Sequence, residues 1–124
     1  MKILVVDDEL DVKPLFEQRF RKEIKNEEMS FAFAFCGKDA LTYLTEHEHE
    51  AVLVLSDINM PGMSGLQLLE NIKTRYYKPP PTVMMMTAYS DEQSYTIAKS
   101  LGADDFLTKP LDFALLKQKL KPIN

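Results

Sequence analysis

The fold is decided by one segment, Val52-Leu53-Val54-Leu55-Ser56-Asp57-Ile58-Asn59-Met60-Pro61-Gly62. Its first four residues are all apolar, without the alternation that is typical of a half-exposed strand. Length and flanks favour a strand over a buried helix, because the run is short and is followed by polar and turn-forming residues. A strand buried on both faces is typical of a parallel sheet that is covered by helices.

Similar apolar runs predict four further strands. The clearest are Ile3–Val6 and Val83–Met86, Met29–Phe35 is rich in Phe, and Asp105–Leu107 is weaker. Between these runs, apolar residues recur at steps of three and four residues, a spacing that predicts helices. The helical stripes are Val12–Ile24, Ala40–Leu44, Leu66–Tyr76, Ile97–Leu101 and Phe113–Leu120.

Strands and helices therefore alternate five times. This alternation predicts an α/β fold with a mostly parallel sheet, right-handed crossovers and helices on both faces. We expect a flavodoxin-like (βα)5 sandwich with strand order 2-1-3-4-5, as a single domain over residues 1–124. Two helix starts, Ser64–Gln67 and Ser90–Gln93, match a capping box, and Gly102 is a natural left-handed helix stop. Met84–Met86 is expected to fill the core.

The composition excludes several classes of protein. Fifteen basic and 19 acidic residues give a formal net charge of −4, which argues against a nucleic-acid-binding surface across the domain. The single cysteine, Cys36, cannot form an internal disulfide and favours a reducing compartment. No apolar run approaches the roughly 20 residues of a membrane span, and the N-terminus lacks a signal-peptide layout. We expect a cytoplasmic protein that contacts neither nucleic acid nor membrane directly.

Polar side chains follow the predicted strands where each strand ends. The first strand is followed by Asp7-Asp8-Glu9, the third by Ser56-Asp57, the fourth by Thr87 and the fifth by Thr108-Lys109. Open α/β sheets bind ligands outside the carboxyl ends of their strands, where the strand order reverses. In the order 2-1-3-4-5 this point lies between the first and third strands, and both end in aspartates.

The residue types at this edge predict phosphoryl chemistry. Three clustered carboxylates, Asp7, Asp8 and Asp57, repel one another unless a cation compensates. Oxygen ligands suit Mg²⁺, which keeps several waters and usually adds a phosphate, and no His or Cys falls here for a softer metal. A carboxylate beside Mg²⁺ can attack phosphorus and form an aspartyl phosphate. Lys109 and Thr87 could supply the cation and the hydrogen-bond donor that the developing charge needs.

These residues resemble the receiver domains of two-component response regulators, and the resemblance spans the whole chain. The matching pieces are Asp7-Asp8, Asp57–Gly65, Thr87-Ala88 and Phe106–Pro110. Each piece alone is weak evidence, but together, in this order and at these strand ends, they are specific. The resemblance implies a signalling module rather than an enzyme, which promotes only its own phosphorylation and dephosphorylation.

The resemblance also implies the acceptor and the metal ligands. Asp57 would be the phosphoacceptor, and Mg²⁺ would be held by Asp7, Asp8, Asp57 and the backbone carbonyl of Asn59. Hard oxygen ligands of this kind fit the preferences of Mg²⁺.

A second group of residues would bind the phosphoryl group and report its presence. Thr87 would hydrogen-bond the phosphoryl group and Lys109 would pair with it, with the Lys109–Pro110 bond expected to be cis. Thr87 and Phe106 would form the switch, because phosphorylation would draw the Thr87 hydroxyl toward the phosphate and let the Phe106 ring turn inward. Tyr89 would slow the access of water or donor.

The resemblance implies partners as well. The donor would be a phosphohistidine on a sensor histidine kinase or a histidine phosphotransfer protein. The face formed by the fourth predicted helix, the fifth strand and the fifth helix would transmit the signal and form a homodimer. A covalently attached output domain in a longer parent chain is a further expected partner.

Three rival functions are weaker. A haloacid-dehalogenase-type phosphatase needs Asp-x-Asp after the first strand, whereas position 9 is Glu9 and Asp57 would lack a role. A flavodoxin-like cofactor binder needs a Ser/Thr/Gly-rich phosphate loop, which the acidic Asp7–Glu9 segment contradicts. A pseudo-receiver that only binds partners is disfavoured because every expected phosphorylation residue is present. The alternating segment Glu46–Glu50 is interpreted as a solvated loop rather than a metal site.

Overall fold

A computed structural model describes residues 1–48, 50, 52–74, 81–88 and 91–121 of the chain. Within this part the strands are β1 (Lys2–Val6), β2 (Ser30–Ala34), β3 (Val52–Asp57), β4 (Thr82–Ala88) and β5 (Asp105–Lys109). The helices are α1 (Val12–Arg19), α2 (Arg21–Lys25), α3 (Gly37–Glu46), α4 (Gly65–Thr74), α5 (Glu92–Ser100) and α6 (Phe113–Leu120). The five strands form one parallel sheet in the order 2-1-3-4-5, which confirms the predicted topology.

The two-residue period of the strands divides the core into two layers. Leu4, Val54 and Met85 belong to the layer on one face of the sheet, which also contains residues of α3, α4 and α5. Their neighbours Val5 and Leu55, with Met84 and Met86, belong to the opposite layer beneath α1 and α6. Met84, Met85 and Met86 are all buried, as the sequence predicted.

Phenylalanines fill much of the layer beneath α1 and α6. The Phe16 ring centroid lies 5.3 to 6.3 Å from four other rings. These rings are Phe20, Phe31, Phe33 and Phe113. Aromatic pairs at such distances contribute to stability beyond the area that they bury. The Phe-rich second strand therefore contributes two rings, Phe31 and Phe33, to an aromatic cluster in the core.

The first predicted helix is divided in the structure, so its prediction as one continuous element was wrong. The chain leaves helical geometry at Phe20, where φ is −107° and ψ is 20°. Phe20 stays fully buried and stacks on Phe16, whereas Ile24 beyond the break is exposed. Packing of the Phe20 ring overrides the spacing that placed Ile24 on the buried stripe.

The helix ends follow the predicted signals in two of three places. Ser64 and Gln67 form the capping box, with the Ser64 amide donating to Gln67 Oε1 at 2.9 Å and the Gln67 amide donating to Ser64 Oγ at 3.2 Å. Gly102 has a φ of +99°, as a left-handed stop requires.

The predicted cap at Ser90 was wrong. Ser90 lies outside the described residues, and the N-cap of α5 is Asp91, whose carboxylate accepts from the Ser94 amide at 3.1 Å. A carboxylate suits this position because it satisfies a free amide and carries charge that favours a helix N-terminus.

None of the helices in the described part of the chain has the length and apolar content needed to cross a membrane.

We predict that Phe16→Ala lowers the free energy of unfolding by about 3–5 kcal/mol, because it leaves a cavity in the aromatic cluster. The adjacent Leu15, which is 40% exposed, provides the control, and Leu15→Ala should cost less than about 1 kcal/mol. Urea unfolding measures the free energy of unfolding of both variants. Similar decreases in Phe16→Ala and Leu15→Ala would contradict the burial of Phe16 in the aromatic cluster.

Candidate functional site

Successive side chains of a strand point to opposite faces of the sheet, and this alternation brings three polar side chains to the same face at the carboxyl edge. Asp7, Asp57 and Lys109 form this corner of the sheet. Asp57 follows Leu55 by two residues, Lys109 follows Leu107, and Asp7 follows Val5. The apolar members of these pairs all belong to the layer beneath α1 and α6. The Asp7 amide donates to the Ala34 carbonyl at 3.1 Å, so the strand pairing extends to that residue. Because all three strands are parallel, the three polar residues reach the same face at the same carboxyl edge.

Lys109 joins the two buried aspartates. Its ammonium lies 2.9 Å from Asp57 Oδ2 and 3.2 Å from Asp7 Oδ2. Asp7 and Asp57 are buried, with 3% and 7% of their surface exposed, and Lys109 is half-buried. The Lys109–Pro110 peptide bond is cis, as predicted. The corner therefore combines two desolvated carboxylates and one cation in direct contact.

Asp8 completes a set of carboxylates that could hold a metal ion. One oxygen from each of Asp7, Asp8 and Asp57 lies within 4.8 Å of the others, and Asp8 is exposed. Octahedral Mg²⁺ binds oxygen at about 2.1 Å, so its ligand oxygens lie at most about 4.2 Å apart. The three carboxylates fit this size with small side-chain adjustments, and the exposed side at Asp8 leaves room for waters.

The backbone near Asp57 is packed tightly. The Asn59 backbone hydrogen-bonds to the Asp57 carboxylate, so Asn59 lies beside Asp57. The Gly65 amide donates to the Ile58 carbonyl at 2.7 Å, and a Cβ at Gly65 would overlap the carbonyl oxygen of Asp57. Only glycine lets the start of α4 approach the end of β3 so closely.

Burial has the largest effect on the Asp57 carboxyl and raises its pKa, and the nearby charge of Asp7 raises it further. The hydrogen bond and charge of Lys109 oppose this effect without cancelling it, so the pKa stays above its ordinary value. Burial alone would lower the pKa of Lys109, but contacts with Asp57 and Asp7 raise that pKa overall. The metal-free corner therefore keeps Lys109 charged and disfavours the ionised form of Asp57.

Thr87 lies on the other face of the sheet. In the β4–β5 register Met85 pairs with Phe106 and Thr87 pairs with Thr108, and Met85 belongs to the layer that contains α5. Thr87 is buried, and its hydroxyl donates to the adjacent Ala88 carbonyl at 3.3 Å. The structure thus gathers Asp7, Asp8, Asp57 and Lys109, and leaves the Thr87 hydroxyl bonded within its own strand.

Phe106 is half-buried and has a neighbour that the sequence reasoning missed. The Tyr95 ring of α5 lies 4.3 Å from the Phe106 ring, centroid to centroid. The predicted stripe on this helix included Ile97, which is 40% exposed, whereas Ala98 is buried and Ser94 half-buried. Tyr95 precedes Ala98 by three residues, and that spacing was the available signal. Tyr89, the other residue proposed to affect the site, lies outside the described residues.

The chain is similar to known proteins in both sequence and fold. Residues 3–121 match the family model for the response regulator receiver domain. Chemotaxis protein CheY4 of Vibrio cholerae is 21% identical, with a TM-score of 0.81 and coverage of 99% of this chain and 98% of that one.

Two further structures are similar over nearly the full chain. The receiver domain of TorR, the response regulator of a TMAO respiratory system, is 26% identical, with a TM-score of 0.79 and coverage of 98% and 94%. The receiver domain of Saccharomyces cerevisiae Ssk1, co-crystallised with the histidine phosphotransfer protein Ypd1, is 22% identical, with a TM-score of 0.79 and coverage of 96% and 85%.

We predict that Asp57 gives the metal-free protein a characteristic pH dependence. Its pKa is raised above the unfolded value of about 3.9, so the folded state binds this proton more tightly than the unfolded chain. The resulting stabilisation is fully present below the unfolded pKa and is lost as the pH rises through the folded pKa.

Urea unfolding of the wild type and of Asp57→Asn, without Mg²⁺, measures this effect. The difference in unfolding free energy, wild type minus variant, should fall as the pH rises from about 3 to 7. A difference that is constant or rises over this range would contradict the raised pKa.

Proposed function

The chain belongs to the response regulator receiver family, and from this premise we propose that Asp57 accepts a phosphoryl group from a phosphohistidine in a two-component phosphorelay. The proposal rests on one observation above all. The Lys109 ammonium contacts the buried carboxylates of Asp57 and Asp7, and the Asp8 carboxylate completes an oxygen cluster at the same edge. A buried carboxylate beside the Lys109 ammonium and a candidate metal site has the surroundings that a carboxylate nucleophile needs.

The proposed step is an in-line transfer between nitrogen and oxygen. A carboxylate oxygen of Asp57 forms a bond to phosphorus as the phosphorus–nitrogen bond of the donor breaks, and the departing imidazole keeps the electron pair. Lys109 is placed to balance the charge of the transferred oxygens, since its ammonium is already 2.9 Å from the acceptor. Hydrolysis of the resulting acyl phosphate returns the free carboxylate and inorganic phosphate.

Mg²⁺ is the proposed cofactor. Asp7, Asp8 and Asp57 would hold it together with the backbone carbonyl of Asn59. When bound, Mg²⁺ supplies positive charge that offsets the carboxylates and stabilises the phosphoryl oxygens. The three acidic side chains would bind the ion on one side and leave its remaining coordination positions open to water and to the phosphodonor.

Thr87 and Phe106 form the proposed switch. The Thr87 hydroxyl has one long hydrogen bond, to Ala88, and exchanging it for a charged phosphoryl oxygen would give a stronger bond. Thr87 and Phe106 belong to adjacent strands and to the same face of the sheet. A movement of the Thr87 side chain toward the phosphoryl group would therefore open space that the half-buried Phe106 ring can enter.

The proposed partners are macromolecules. The phosphodonor would be a sensor histidine kinase or a histidine phosphotransfer protein, and the co-crystal of the similar Ssk1 receiver with Ypd1 supports this choice. Phosphorylation would alter the face formed by α5, β5 and α6. That face would contact an output domain in a longer parent chain, a separate target, or a second copy. We propose that residues 1–124 act as a single cytoplasmic domain that catalyses only its own phosphorylation and dephosphorylation.

A small phosphodonor tests the proposed function directly. We predict that acetyl phosphate with Mg²⁺ adds one phosphoryl group, seen by intact-mass spectrometry, and that hydroxylamine removes it because an acyl phosphate is labile to that nucleophile. Chelation of Mg²⁺ should abolish the gain, and so should Asp57→Asn. Asp39→Asn, which changes an exposed carboxylate on α3, is the matched control and should leave the gain intact.

Two results would contradict the proposal. One is a phosphoryl group that persists in Asp57→Asn, which would place the acceptor elsewhere. The other is hydrolysis of a generic phosphate ester over many turnovers, which would indicate a phosphatase.

A further inference from the structure

Tyr95 covers the ring of Phe106. The two ring centroids lie 4.3 Å apart with an interplanar angle of 45°. Tyr95 is 41% exposed, so its outer face meets solvent while its inner face meets the Phe106 ring. Phe106 in turn packs against the apolar layer that contains Leu68, Met85 and Ala98. Tyr95 is therefore the outermost member of a stack that begins in the core.

Few other side chains attach α5 to the sheet. Of its nine residues only Ala98 is buried, and Ile97, the large aliphatic residue of this helix, is exposed. A helix with so little buried surface gains little from packing and can change its position at low cost. Together with the buried Ala98 and the C-cap residue Leu101, which packs against the same apolar layer, the contact of Tyr95 with Phe106 is therefore one of the few that position α5.

The register of the sheet links this contact to the proposed phosphorylation site. Phe106 pairs with Met85 and Thr108 pairs with Thr87, so Phe106 and Thr87 lie on the same face of adjacent strands, two register positions apart. Thr87 immediately follows Met86, the partner of Asp57 in the β3–β4 register. Thr87 therefore lies on the same face as the ring that Tyr95 covers and next to the strand partner of Asp57.

We propose that Tyr95 is a positioning residue that holds the Phe106 ring, and through it α5, in the arrangement of the unphosphorylated domain. This inference rests on the proposed function, because it concerns how phosphorylation at Asp57 is coupled to α5. Inward movement of the Phe106 ring breaks the contact with Tyr95. The contact therefore stabilises only the unphosphorylated arrangement and opposes the switch.

Linkage fixes the sign of the effect. A contact that exists only in the unphosphorylated arrangement shifts the equilibrium toward that arrangement by the free energy of the contact. A phosphoryl mimic favours the other arrangement, so it binds more tightly once the contact is removed. An aromatic pair of this kind corresponds to a factor of about two to ten in an equilibrium constant. Removing the Tyr95 ring should therefore raise the apparent affinity for a phosphoryl mimic by about two- to tenfold.

Beryllofluoride, which stands in for the phosphoryl group on Asp57, is the probe. Amide NMR titrations in the presence of Mg²⁺ give its apparent affinity for the wild type, Tyr95→Ala and Tyr95→Phe. Tyr95→Ala should bind about two- to tenfold more tightly, and the resonances of Phe106 and of α5 should already be shifted toward their bound positions without the mimic. Tyr95→Phe keeps the ring and should behave as the wild type.

Ile97→Ala is the matched control, because Ile97 is on the same helix and equally exposed, at 40%. It should leave the affinity for beryllofluoride unchanged, whereas a general loosening of α5 would move both alanine variants together. Unchanged or weaker binding in Tyr95→Ala, or equal changes in the two alanine variants, would overturn the inference while the proposed function stands. The absence of any response in every protein, the wild type included, would overturn the proposed function and this inference with it.

Discussion

The contact of the Lys109 ammonium with two buried carboxylates is the interaction on which the site depends. Asp7 and Asp57 are acidic groups in one desolvated corner, and the repulsion between their ionised forms must be offset within the fold. Lys109 is 102 residues from Asp7 and 52 residues from Asp57 along the chain. The contact therefore forms only when β1, β3 and β5 occupy one parallel sheet, and the chemistry of the corner is a property of the completed fold.

The two-residue period of the strands places the proposed acceptor site and the proposed switch on opposite faces of the same sheet edge. Asp57 and Lys109 continue the parity of the layer beneath α1 and α6, whereas Thr87 and Phe106 continue the parity of the layer that contains α5. The residues proposed to accept the phosphoryl group and those proposed to respond to it are thereby close together but share no side chain. A change at Asp57 must cross the sheet at its carboxyl end, where Thr87 follows the strand partner of Asp57.

The sequence predicted the strands and the corner because both depend on strong local signals, whereas the strand order was inferred from the flavodoxin-like fold that the alternation indicates. Apolar runs that end in acidic or basic residues mark buried strands and their carboxyl ends, and parallel pairing then brings Asp7, Asp57 and Lys109 together. The break at Phe20 escaped prediction because ring packing across the core overrides helical spacing. The cap at Asp91 and the contact of Tyr95 were not predicted for a related reason. In each case the tertiary fold uses a residue close to the predicted one, Asp91 rather than Ser90 and Tyr95 rather than Ile97.

Phosphorylation at Asp57 is tested by the amide NMR spectrum of the labelled wild type with Mg²⁺, recorded before and after beryllofluoride, a mimic of the phosphoryl group, is added. We expect shifts at Asp8, Asp57, Thr87 and Lys109 that extend to Phe106, require both additions and are absent in Asp57→Asn. A wild-type spectrum that neither addition changes would contradict this expectation, and the chain would then be a receiver that binds partners without accepting phosphate.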